Sequence, residues 1–270
     1  MFRTPLRRTM IGQKFSVAYS SPSAGTIVDT GEFDPKSITG LLYWFAADKI
    51  TGVTADDTIV TTWTDSSGNN RDAVAGGTQR PTFKTNIKNG KPAIRFNGTT
   101  NVFRITGSAG TVNYTSGSSI FVVLNPSGSS ATGGSWFSCH DTSYDYEGGN
   151  SWLFHPSSTT QLILYWRGSR PGGVTDANIN TIGQYTATVQ QSAGNITQII
   201  RRNKTQLQTH TQAALGTCAP TEATIGGRFQ TAFGSPFVKA DILEILIYNT
   251  FIGTTNRDAV ENYLATKYAL

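Results

Sequence analysis

Three stretches of this 270-residue chain set reactive side chains close together. In Asp241-Ile242-Leu243-Glu244, two carboxylates stand three residues apart inside an apolar run, a pairing suited to general acid and base work. On a regular strand, however, residues i and i+3 point to opposite faces. An unbulged strand therefore keeps the two apart, and Glu244 reads as a buried acid tied to backbone or to a basic group. Cys139-His140-Asp141 puts a thiol next to an imidazole. Neighbours on an extended chain also point apart, so His140 is poorly placed to activate Cys139. The third stretch runs Asp141-Thr142-Ser143-Tyr144-Asp145-Tyr146-Glu147-Gly148-Gly149. Its carboxylates and tyrosines suit sugar stacking or a calcium-assisted contact, which makes Asp141, Tyr144, Asp145 and Tyr146 the candidate glycan-binding residues. A solvated acidic loop between strands accounts for the same residues.

A fourth stretch, WTDSSGNNRD from Trp63 to Asp72, crowds oxygen-bearing side chains behind a tryptophan. A calcium loop of the EF-hand kind starting at Asp65 needs glycine at its sixth position and an acid at its twelfth. Asn70 and Gly76 occupy those places. Asp65, Ser66 and Asn69 are good turn formers, and Gly68 takes a positive φ without steric cost. The stretch reads as a strand ending in a core tryptophan, then a turn stapled by side chains. His140, His155 and His210 lie too far apart in sequence to form a metal motif. No cofactor is called for, and calcium is open but not indicated.

The elements behind these side chains are strands. Charged residues make up 14% of the chain, and Thr, Val, Ile and aromatics recur in short runs between Gly, Ser and Asn clusters, the pattern of an all-β fold. Ile120 to Leu124 is a continuous apolar run, as in a strand buried on both faces. Gln184 to Gln190 alternates, which predicts a core face of Tyr185, Ala187 and Val189 and a wet face of Gln184, Thr186, Thr188 and Gln190. Leu162, Leu164 and Trp166 share a face, and Asp241 to Tyr248 is the strongest strand. At the end, Thr255 and Asp258 form a plausible capping box, and Val260, Tyr263, Leu264 and Lys267 follow with helical spacing.

Residues 1–36 read as an extended arm. Arg3, Arg7, Arg8 and Lys14 give residues 1–28 a charge of +4 out of the total +5. The basicity belongs to the arm and not to a folded face, which argues against a nucleic-acid partner. No apolar run approaches the about 20 residues that cross a bilayer, so no membrane partner is expected. The segment MFRTPLRRTMIGQKF lacks the apolar core of a signal peptide. Cytoplasmic folding is therefore expected, with Cys139 and Cys218 reduced.

Several stretches, in order, resemble the concanavalin A-like jelly roll of the laminin-G-like type found in phage structural and bacterial surface proteins. They are Leu41-Leu42-Tyr43-Trp44-Phe45-Ala46-Ala47-Asp48, Val60 to Asn69, Gln79-Arg80-Pro81-Thr82-Phe83, and Asn89-Gly90-Lys91-Pro92-Ala93-Ile94-Arg95-Phe96-Asn97-Gly98. Ile225-Gly226-Gly227-Arg228, Ala240 to Asn249 and Asn262 to Tyr268 continue it, so the likeness spans roughly residues 40–270. It implies an all-β, two-sheet antiparallel jelly-roll sandwich over residues 37–270, with the arm before it and a short C-terminal helix. A glucanase on such a fold carries the strand motif Glu-x-Asp-x-x-Glu, and this chain has Lys239 where the nucleophilic Glu belongs.

The reading that unites these features is a non-enzymatic structural protein of a phage-like particle, located in the virion as a decoration, neck, collar, tail or fibre component. Its partners would be capsid, neck or tail subunits and further copies of itself. The arm would dock through Phe2, Leu6, Ile11 and Phe15, with Arg3, Arg7 and Arg8 pairing with carboxylates. The alternative is a carbohydrate-binding module for host or cell-surface glycans. A glycoside hydrolase ranks third.

Overall fold

The computed structural model describes residues 33–107, 117–126, 134–141, 151–166, 172–192, 194–214, 216–228 and 237–270; the fold is that of the unit Asp34–Leu270. The arm residues from Phe2 to Phe15, and Tyr144, Asp145 and Tyr146, lie outside the described residues. Alternating and continuous apolar runs each need a sheet face to bury against, and two packed sheets supply it. The first sheet orders its strands Thr205–Ala213, Asn195–Arg202, Gly183–Ser192, Gly117–Pro126, Lys239–Tyr248, Lys91–Asn97 and Thr82–Lys88. Leu41–Ala46 pairs with the second half of Lys239–Tyr248, whose first half pairs with Lys91–Asn97. The second sheet runs Val174–Thr175, Gln161–Trp166, Trp152–Pro156, Phe137–His140, Glu222–Ile225, Phe103–Ile105, Ala73–Val74 and Thr62–Trp63. All the strand pairs are antiparallel, as an all-β jelly-roll sandwich requires.

The core lies between the sheets. Phe45, Phe96, Val122, Tyr185 and Ile245 of the first face Trp63, Phe103, Phe137, Trp152 and Trp166 of the second. Trp63 sits between Phe45 and Phe103 at centroid separations of 5.7 and 6.0 Å. Removing a core tryptophan of this kind costs about 3–5 kcal/mol. Gly226 holds φ at +86°, and a Cβ there would fall 2.1 Å from the Phe96 ring, so the glycine after Ile225 is a packing requirement. Among the described residues no helix is long and apolar enough to cross a membrane.

Three local expectations need correction. Gln184, Thr186 and Thr188 are buried, and only Gln190 of that alternating set is exposed. The C-terminal helix packs over this face: Arg201, cross-strand from Thr186, forms an ion pair with Glu261 of the helix at 2.9 Å. The helix itself spans Gly253–Tyr268, three residues earlier than the capping box predicts, and its N-cap, Ile252, makes no side-chain cap. Tertiary contact sets the start instead, because the Ile252 N–H donates to Ser119 Oγ. Lastly, the Lys239–Tyr248 strand is bulged. Ile242 pairs with Leu124 and Glu244 with Val123, so Leu243 is an extra residue. The bulge shifts the alternation: Ile242, Ile245 and Ile247 face the core, and Asp241 and Glu244 share the opposite face.

Candidate functional site

With both carboxylates on one face, their commitments decide what they can do. Asp241 is 1% exposed and takes a bidentate grip from Arg95, Nε to Oδ1 at 2.7 Å and Nη2 to Oδ2 at 2.8 Å. Glu244, equally buried, accepts four donors: Trp44 Nε1 at 2.6 Å, Tyr263 OH at 3.0 Å, Lys267 Nζ at 2.8 Å and Tyr268 OH at 2.7 Å. Lys267 also reaches Asp48 at 2.9 Å. Glu244 is thus the buried acid tied to a basic group that its sequence context predicts, fastening the helix to the sheet. Neither carboxylate is open to act as acid or base, and the exposed Lys239 occupies the strand start.

This centre sets an alkaline limit on stability. Burial works to lower the Lys267 ammonium, but the charge and hydrogen bond of Glu244, with Asp48, outweigh it and raise its pKa. Burial lifts Tyr268 well above the ordinary phenol value, reinforced by Glu244. Burial likewise pushes Tyr185 up to about 12, against the lowering effect of Arg202. The native state therefore holds protons that the unfolded chain releases near pH 10. Their stabilisation is complete below about pH 10 and is lost above it, the Tyr185 share between about 10 and about 12. Urea-unfolding midpoints should be level just below about pH 10 and fall steadily above it.

The other sequence candidates separate. Cys139 packs in the core between the sheets, whereas His140 is on the opposite face with Nδ1 donating to the Asp141 carbonyl at 3.1 Å. Burial lowers the His140 pKa. Cys139 and Cys218 are both buried thiols. Asp141 is half-buried at the end of its strand. No group of three or more His, Cys, Asp or Glu among the described residues is arranged to hold a metal ion.

WTDSSGNNRD is a turn with a structural task. Asp65 Oδ1 accepts from Trp44 N at 3.0 Å and Ser67 N at 2.9 Å; Oδ2 accepts from Ser67 Oγ at 2.7 Å and Arg71 N at 3.1 Å. Ser66 N donates to Trp44 O at 2.7 Å, and Asn69 Nδ2 donates to the Leu41 and Leu42 carbonyls. The loop thereby covers the edge of Leu41–Ala46 that no strand pairs among the described residues, satisfying groups that would otherwise invite foreign strands.

What the sequence did not reveal is a cleft of about 610 Å³ where the Thr82–Lys88, Lys91–Asn97 and Lys239–Tyr248 strands begin or end. Thr82 pairs with Arg95 and Asn97 with Lys239, so register alone brings Arg80, Arg95 and Lys239 together. Asn97 and Asn101 brace its wall: Asn97 Oδ1 accepts from the Thr99, Thr100 and Asn101 N–H groups, and Asn101 Nδ2 donates to Arg80 O at 2.8 Å. Gly98, at φ +78°, makes room for Lys239, since a Cβ there would lie 2.8 Å from the lysine Cβ. Ile59, 54% exposed, forms an apolar lip. No short motif marks these residues; the signal is a set of basic residues at strand ends that pairing must converge.

No family model matches the chain, and no curated protein matches it by sequence. Similar solved structures do exist. A GH54 α-L-arabinofuranosidase soaked with 4-nitrophenyl α-L-arabinofuranoside aligns at TM-score 0.58 and 12% identity over 86% of this chain and 60% of its own. Trypanosoma rangeli sialidase in complex with sialic acid aligns at TM-score 0.53 and 11% identity over 84% and 33%. Domain 4 of AbnA, a GH43 extracellular arabinanase from Geobacillus stearothermophilus, in complex with arabinotriose, aligns at TM-score 0.50 and 15% identity over 84% and 98%. This chain thus spans nearly the whole of that last domain but only part of the two enzymes. At such identities the likeness is one of fold: this chain is an all-β, two-sheet sandwich of the jelly-roll kind, consistent with a concanavalin A-like fold.

Proposed function

We propose that this chain is a glycan-binding module without hydrolytic activity, and that the sugar lies in the cleft edged by Ile59, Arg80, Arg95 and Lys239. One contrast carries the reading. The carboxylates on the central strand are fully engaged by Arg95 and by Lys267 with its neighbours. The cleft beside them keeps the Arg80 terminal nitrogens, the Lys239 ammonium and the Thr78 and Thr82 hydroxyls without a partner among the described residues. Several polar groups converging on a concave surface are what a saccharide needs for orientation. The sandwich shared with a domain seen with arabinotriose supports this reading over the virion-assembly one. Assembly through residues 1–36 is a separate proposal, independent of the cleft.

A glycan array probed with the intact chain, alongside a reducing-end assay on each oligosaccharide that binds, tests the reading. The expected result is binding to a subset of oligosaccharides with no release of reducing ends. Silence across a broad array sinks the glycan reading; release of reducing ends sinks the non-hydrolytic part.

A further inference from the structure

We infer that the sugar taken by this cleft is anionic, carrying a carboxylate or sulfate that Arg80 and Lys239 bind. The inference rests on the glycan reading and adds the chemical class of the ligand. Three cations, Arg80, Arg95 and Lys239, line the cleft, and no acid is among its described lining residues. Asp241 lies at the cleft's edge but is 1% exposed and neutralised by Arg95. Asp56 and Asp57, whose charges also act on Arg95, are both bound to Lys84.

Arg80 spends only its Nε, on the Gly77 carbonyl at 2.9 Å, so its terminal nitrogens meet no partner among the described residues. Lys239 is exposed and makes no ion pair among the described residues. Arg95 remains 41% exposed even while it grips Asp241. Uncompensated like charges in one concavity repel each other, and an anion relieves the repulsion. A guanidinium presents a planar fork that matches carboxylate or sulfate oxygens, and a lysine adds a point charge.

The cleft also lacks the usual alternative means of holding a sugar. Phe96, the aromatic among its described lining residues, is fully buried, and so none of them offers a ring for stacking on a pyranose face. Charge and hydrogen bonds must then supply the selectivity. Thr78 and Thr82 line the same space, and their hydroxyls meet no partner among the described residues.

Calorimetric titration of the intact chain tests this with four probes: an oligouronate, its carboxyl-reduced neutral counterpart of equal length, a sulfated oligosaccharide, and the best neutral ligand from an array. The expected result is that the oligouronate or the sulfated sugar binds at least tenfold more tightly than the neutral counterpart, and that added salt weakens it. Whichever anion binds identifies the group. Arg80→Ala and Lys239→Ala should each weaken that binding about tenfold or more, with unchanged thermal unfolding, and Arg80→Lys should recover part of the loss. Equal or tighter binding of neutral sugars, untouched by these substitutions, overturns the anionic assignment and leaves the glycan reading standing. No binding of any probe, charged or neutral, overturns both.

Discussion

Replacing Glu244 with alanine should lower the unfolding free energy by about 3–5 kcal/mol, the cost of removing one partner from a buried ion pair. At roughly 2–4 °C per kcal/mol for a domain of this size, the melting temperature should fall by about 10 °C. The magnitude follows from what is left behind. Lys267 loses its buried counterion, and the Trp44 indole N–H and the Tyr263 and Tyr268 hydroxyls lose an acceptor where little water can replace it. Tyr268→Phe removes a single donor from the same centre and should cost only about 1 kcal/mol. Thermal and urea unfolding measure both. The sign of the result also bears on function. A carboxylate kept for catalysis is often held at a cost to stability, so its removal is neutral or stabilising. A loss within about 0.5 kcal/mol of zero would contradict the structural role assigned to Glu244.

The second large effect is expected at Asp65. Asp65→Ala removes the acceptor for three backbone N–H groups and one hydroxyl, and should cost about 3 kcal/mol. It should also raise the tendency to aggregate, because Trp44 N becomes an unpaired donor on a strand edge that the loop no longer seals. Asp65→Asn keeps one acceptor oxygen and should fall between wild type and alanine. Urea unfolding gives the stability, and light scattering at rising concentration gives the association. A change below about 1 kcal/mol with no added association would mean that the loop is incidental to the sheet edge.

Asp65 and Glu244 also mark what sequence reasoning can reach. Both roles were legible because the evidence is local. Turn formers cluster directly behind Trp63, and Glu244 stands inside an uninterrupted apolar run. The strands and the C-terminal helix were legible from alternation and period for the same reason, whereas the two-sheet sandwich was implied by the family resemblance. The bulge at Leu243 was not, since an extra residue shows only against the partner strand, where Leu124 and Val123 are consecutive. The burial of Gln184, Thr186 and Thr188 was hidden because their cover comes from a helix starting at Gly253. The cleft was hidden more deeply: Arg80, Arg95 and Lys239 are ordinary residues in their own segments, and only strand register gathers them. The tyrosine loop, where the sequence placed a sugar, offers Asp141 alone among the described residues.

The location of the sugar is the claim on which this account turns. Amide chemical-shift mapping of the intact chain, titrated with the best oligosaccharide from an array, tests it most directly. The predicted result is a contiguous set of shifts at Thr78, Arg80, Thr82, Arg95 and Lys239, with the Glu244 centre undisturbed. Shifts concentrated at residues 141–149, or a titration that moves no amide at all, would contradict it.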